Sequence, residues 1–151
     1  MNELQINQIT NRIIVMNIKK PAQLVISNII GLFLSTLVLE GFYVEPKVIV
    51  FILGGIFLML GQLIVRPILK FISFPINMAS LGLFNIVINA IVLFLVVYFT
   101  NGISITSGYI IVTFPFVGDL LPNIEVDKWI TLLIGAFLID LVGWLMKKLV
   151  Y

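Results

Sequence analysis

Four runs of almost unbroken apolar residues divide this chain: 22–39 (AQLVISNIIGLFLSTLVL), 48–65 (VIVFILGGIFLMLGQLIV), 79–99 (ASLGLFNIVINAIVLFLVVYF) and 129–146 (WITLLIGAFLIDLVGWLM). Crossing ~30 Å of hydrocarbon takes about 20 apolar residues wound as an α-helix. In lipid an unpaired backbone N–H or C=O is so costly that each run is expected to be a helix rather than an open strand. The expected fold is therefore an all-α membrane protein with four transmembrane helices. Composition excludes a water-soluble alternative, since 61% of the residues are hydrophobic, 11% are charged and the mean hydropathy is +1.21. An ordinary soluble domain is about 45–50% apolar and about 25% charged, and a small domain has too much surface to hide such an excess. The first partner of this chain is the lipid bilayer.

Several chemistries are excluded at the same stage. The chain has no Cys and no His, so it lacks a thiolate nucleophile, a Cys-type metal site and the commonest general base. No cofactor or metal is expected. The nine Lys and Arg are dispersed rather than patched, which gives nucleic acid no footprint. The first apolar run follows Arg12, Lys19 and Lys20, but no small-x-small cleavage site follows it (STLVLEG, 35–41). An uncleaved anchor is expected.

Loop charges give the orientation. Arg12, Lys19, Lys20, Arg66, Lys70, Lys147 and Lys148 fall on one side of the four runs, against only Lys47 and Lys128 on the other, alongside Glu40, Glu45, Asp119, Glu125 and Asp127. Basic loops stay in the cytoplasm, so both termini are expected there. This divides the chain into a cytoplasmic segment, 1–21, and a four-helix domain, 22–149, with an external loop at 100–128. Within VRPILKFISFPI (65–76), Arg66, Pro67, Lys70 and Pro75 read as the cytoplasmic turn between the second and third helices. The prolines limit helix continuation and the cations rest among headgroups. A sharper reading makes this turn an anionic-lipid or partner site.

Two segments are less legible. In the first 20 residues, Ile6, Ile9, Ile13 and Met16 share one helical face while Leu4, Ile14, Val15 and Ile18 share the opposite one. That is not a clean amphipathic helix. In the external loop, the β-prone runs 103–106 and 109–114 flank Ser107-Gly108, a turn signal that predicts a small external β-hairpin; a re-entrant segment is the alternative.

The two halves look alike. NIIGLFLSTLVLEG (28–41) and NAIVLFLVVYFTNG (89–102) share Asn, LFL and Gly at matching offsets, and GIFL (55–58) parallels GAFL (135–138). Each copy contributes two helices and enters the membrane with the same polarity, giving two tandem parallel helical hairpins.

Polar residues inside the apolar runs are the informative exceptions. Asn28, Gln62, Asn85 and Asp140, one per run, each lie roughly 6–11 Å inside the cytoplasmic boundary at ~1.5 Å per residue. Asn89 extends this layer by a turn. The amides are expected to hydrogen-bond across helices, whereas Asp140 either meets a donor of the layer or binds a proton. Small residues on the faces Ala136–Gly143 and Gly54–Gly61 allow close helix approach, within one chain or between chains.

The block RPILKFISFPINMASLGLFNIVINAIVLFLVVYF (66–99) resembles phage holin family 4, the superfamily IV four-helix holins that include the YvlD-type proteins. An RPIL-type turn, a Pro, LGLF and an INA helix carry the likeness, at Arg66, Pro67, Ile68, Leu69, Pro75, Leu81, Gly82, Leu83, Phe84, Ile88, Asn89 and Ala90. The resemblance spans about 24–149. This chain departs from the pattern in the 15 residues before Met16 and in a longer loop ahead of the last run. The resemblance implies a non-enzymatic protein of the bacterial cytoplasmic membrane that forms homo-oligomers and opens a lesion. Two alternatives stand beside it: a chromosomal structural or envelope-stress membrane protein without pore activity, and a small channel or transporter subunit.

Overall fold

A computed structural model describes the backbone of residues 2–79, 84–110 and 124–150, with side chains throughout except at 73–79, 84 and 85. Four helices carry the described chain: α1 (Glu3–Val38), α2 (Val48–Ala79), α3 (Phe84–Phe99) and α4 (Lys128–Val150). Each packs against the next, and α4 returns against α1 to close a ring. Neighbours are antiparallel. Asn28 meets Gln62 while Leu32 meets Gly54, and likewise Gln23 reaches Met146 while Gly31 lies on Ile139. The helices α1, α2 and α4 are long and apolar enough to cross a membrane. The helix α3 is equally apolar, and its described part has 16 residues.

Two helices are longer than their apolar runs. The helix α1 begins at Glu3 rather than at 22 and passes through Pro21, so the N-terminal segment is one exposed helical arm. The helix α2 continues past Arg66 through Pro67 and Pro75 to Ala79, so the expected turn at 66–76 is helix. A proline deletes one backbone donor and strains one preceding carbonyl. In an apolar helix that loss is tolerated where neighbouring groups re-satisfy the backbone, and thirteen further residues of helix follow Arg66.

The ends of α1 and α3 and the starts of α2 and α4 meet at a small β layer. It holds β1 (Phe42–Val44), β2 (Ile103–Ile105), β3 (Gly108–Ile110) and β4 (Ile124–Val126). The expected hairpin across Ser107-Gly108 does not form. Instead β2 pairs with β1 and β3 pairs with β4, both antiparallel. The chain runs on past residues 39–44, with Thr106 N–H donating to Gly41 C=O at 2.8 Å and Glu40 N–H to Tyr109 C=O at 3.0 Å. Gly41 and Gly108 make this crossing feasible, because a Cβ on either would collide with backbone of the other segment. The remainder of the second β-prone run, 111–114, lies outside the described residues. In the β1–β2 ladder Phe42 faces Ile105, Tyr43 faces Ser104 and Val44 faces Ile103.

Inside the ring Leu32, Leu58, Ile88, Leu93, Ala136 and Ile139 are buried. The β layer caps one end with buried Phe42, Val44, Ile103 and Ile105, and the Phe42 ring covers Gly135. Outside, the ring is apolar: Phe33, Leu37, Leu63, Ile64, Phe137 and Leu145 are all exposed. Lipid tails are as apolar as these side chains, so hydrophobic burial contributes little to holding the helices together; close packing and polar contacts take over. Gly31 rests directly on the Ile139 backbone, Gly55 on Val25 and Ile29, and Gly61 on Val92. The small residues of α2 therefore serve packing within one chain. Ser35 donates to Gly31 C=O at 2.8 Å within α1 and Thr131 to Asp127 C=O, just before α4, at 3.2 Å, while the buried Thr100 hydroxyl has no protein partner.

Candidate functional site

The amides Asn28, Gln62 and Asn89 and the charged Arg66 and Asp140 gather toward the end of the ring opposite the β layer, in two clusters. In the first, Gln62 Nε2 donates to Asn28 Oδ1 at 3.0 Å, and Asn28 Nδ2 lies 3.4 Å from both Gln62 Oε1 and Gly55 C=O. Two amides thus satisfy one another across α1 and α2.

The second cluster carries charge. Arg66 Nη2 donates to Asp140 Oδ1 at 2.6 Å and to Asn89 Oδ1 at 2.7 Å, while Arg66 Nε reaches the same Asn89 oxygen at 3.2 Å. One guanidinium on α2 therefore ties α3 to α4. The side chains of Arg66 and Asp140 keep 21% and 36% of their exposure, because a polar cavity of about 180 Å3, lined by Asn28, Gln62, Arg66, Asp140 and Lys147 among others, opens on the pair. A carboxylate in hydrocarbon is costly unless paired; here a cation partners it and a polar cavity opens on it. Asn89 Nδ2 is buried without a protein partner. It borders a recess of about 10 Å3 between Gln62 and Asp140, near the lower limit of space for one water.

The structure thus brings together Asn28, Gln62, Asn89 and Asp140. The side chain of Asn85 lies outside those described, as does that of Pro75. Pro67 and Lys70 are exposed on the continuing helix α2. Arg66 differs from the sequence reading: it lies in a helix rather than a turn, and its partly buried side chain joins the polar layer. Its spacing held the signal, since Leu58, Gln62 and Arg66 follow at intervals of four on one face of α2.

Beside this layer, between α1, α2 and α4, lies a wider apolar cleft of about 340 Å3. Among the described residues no group of His, Cys, Asp and Glu is arranged to hold a metal ion.

Residues 22–117 match the family described as Mycobacterial 4 TMS phage holin, superfamily IV. The chain belongs to this family. The holin match covers α1 from its apolar run, all of α2 and α3, and both β1 and β2, whereas α4 and Asp140 lie beyond it. An uncharacterized protein of Streptomyces coelicolor is 23% identical over 111 residues, covering 74% of this chain and 75% of the relative. No solved structure matches the chain. Holin membership and the apolar helices together make this a holin-like membrane protein.

Proposed function

We propose that this chain is a multi-pass protein of the bacterial cytoplasmic membrane that crosses it four times, keeps both termini inside, and acts without enzymatic turnover by assembling into homo-oligomers that permeabilise the bilayer. The observation that carries this reading is the inversion of polarity: the ring's outer faces are apolar while its charged and amide groups converge inside. Such a surface accepts lipid or further copies of itself. The distribution of charge supports the orientation, with Lys147, Lys148 and the arm bearing Arg12, Lys19 and Lys20 at one end and Glu40, Glu45, Glu125 and Asp127 at the other. Trp129 and Trp144 support four crossings. They stand near opposite ends of α4, about 22 Å apart at 1.5 Å per residue, the arrangement of interfacial aromatic belts.

The β1–β2 register supports a duplicated origin. Matching Gly41 with Gly102 makes Phe42, Tyr43 and Val44 the counterparts of Ile103, Ser104 and Ile105, and the ladder pairs them symmetrically about Tyr43 and Ser104. Two like hairpins joined about one pseudo-twofold axis have this pattern.

Among the described residues a single ring offers no continuous polar passage, because Phe42 and its neighbours cap the end remote from the ion pair. Any lesion is a property of the assembly. The test is induction in cells loaded with a potential-sensitive dye, with crosslinking of the membranes in parallel. Abrupt depolarisation accompanied by oligomers supports the proposal; cells that stay polarised at full expression overturn it. The second reading, a non-conducting structural or envelope-stress protein, draws on the satisfied Arg66–Asp140 pair and is the one favoured by that outcome, provided deletion sensitises cells to envelope damage.

A further inference from the structure

The apolar cleft of about 340 Å3 runs between the part of α1 just after Pro21 and the last turns of α4, with Leu63 of α2 at its back. Its volume falls in the range of small-molecule sites, about 300–1,000 Å3. Leu24, Leu63 and Met146 form its walls, and Gly143 leaves its floor open, the nearest atom to a Cβ there being Ser27 Oγ at 4.0 Å. Two cations, Lys20 and Lys147, stand among its lining residues.

The charge balance of this cleft is one-sided. In the adjoining cavity Arg66 and Asp140 cancel. Neither Lys20 nor Lys147 has an acidic partner, because the ion pairs of the described residues are Lys47–Glu45 and Arg66–Asp140. Glu40, Glu45, Glu125 and Asp127 sit at the opposite end, and Glu3 lies at the far tip of the arm, about 25 Å from Lys20 at 1.5 Å per residue. Trp144 marks the headgroup level here, with Lys148 Nζ 5.2 Å from its ring centre. An apolar slot with an unbalanced cationic mouth at headgroup depth matches a molecule with a hydrocarbon chain and a monoanionic phosphate.

We propose that this cleft binds one anionic phospholipid, with an acyl chain along Leu24, Leu63 and Met146 and its phosphate between Lys20 and Lys147. Gln23 Nε2 donates to Met146 C=O at 3.4 Å, linking α1 to α4 beside the cleft. The lipid seals α1 against α4 where the glycine leaves a gap. The proposal requires a bilayer but no lesion, so it stands or falls separately from permeabilisation.

Native mass spectrometry of the full chain in detergent, titrated with phosphatidylglycerol or with phosphatidylcholine of the same chains, tests it. A single phosphatidylglycerol should be retained at concentrations where phosphatidylcholine is not. Lys20→Gln and Lys147→Gln should each weaken retention about fivefold, the effect of one lysine facing an anionic lipid, while the exposed Lys70→Gln leaves it unchanged. Gly143→Leu, which fills the slot, should abolish retention with both lysines intact. Glycerol 3-phosphate should not compete, since it lacks the chain. Equal retention of the two lipids overturns the proposal, as does an equal loss in Lys70→Gln, which would reveal only diffuse attraction. Both lysines are exposed, so their variants fold and decide the matter even where Gly143→Leu does not.

Discussion

The two polar clusters of the ring lie side by side on α2, one turn apart, yet solve different problems. Asn28 and Gln62 are neutral and reciprocal: each amide supplies what the other lacks, with Gly55 C=O as a further acceptor for Asn28. Asp140 cannot be satisfied by amides alone. It takes a full cation, Arg66, which in turn spends a second and a third donor contact on Asn89. Both clusters border the same polar cavity, but Asn28 of the neutral pair is buried, whereas Arg66 and Asp140 keep 21% and 36% of their exposure. Amides tolerate burial in lipid, and a charge tolerates it only with its partner and some access to water.

The comparison can be broken most sharply at Arg66. Arg66→Leu strands Asp140 and is expected to cost about 3 kcal/mol, read from thermal or dodecyl-sulfate unfolding in micelles. The double variant Arg66→Leu with Asp140→Leu should recover most of that loss, because the expense lies in the orphaned charge. A double variant as unstable as the single one would mean that packing, not charge, is at stake. Asp140→Asn keeps an acceptor for Arg66 while removing the counter-charge, with an expected loss of about 1–2 kcal/mol. On the neutral side, Asn28→Leu should cost about 1 kcal/mol, the scale of an interhelical hydrogen bond in a membrane; a loss matching that of Arg66→Leu would erase the distinction. Lys70→Gln, one turn beyond Arg66 but facing outward, should stay within about 0.5 kcal/mol of the parent.

Much of this was legible before any coordinates. The apolar runs mark the four helices, and counting residues from their basic ends brings Asn28, Gln62 and Asp140 to one level, where contacts now join Asn28 to Gln62 and Asp140 to Arg66. Arg66 was harder, because Pro67 beside it reads as a stop. In water that reading is sound; in an apolar helix one missing donor does not outweigh the cost of exposing a turn's backbone to lipid. The β layer was misread for another reason. Ser107-Gly108 is a local turn signal, while β2 finds its partner some sixty residues away in β1, and no local pattern encodes a partner at that distance. The arm at 3–20 lacks one apolar face, yet winds as a helix because it extends α1.

The ladder between β1 and β2 has a mechanical corollary. It staples the end of the first helix to the end of the third through backbone hydrogen bonds, while among the described residues no such ladder joins α1 to α2 at the other extremity. The bundle is thus fastened in two chemically distinct ways, by backbone pairing at the strands and by side-chain contacts at the arginine–aspartate level.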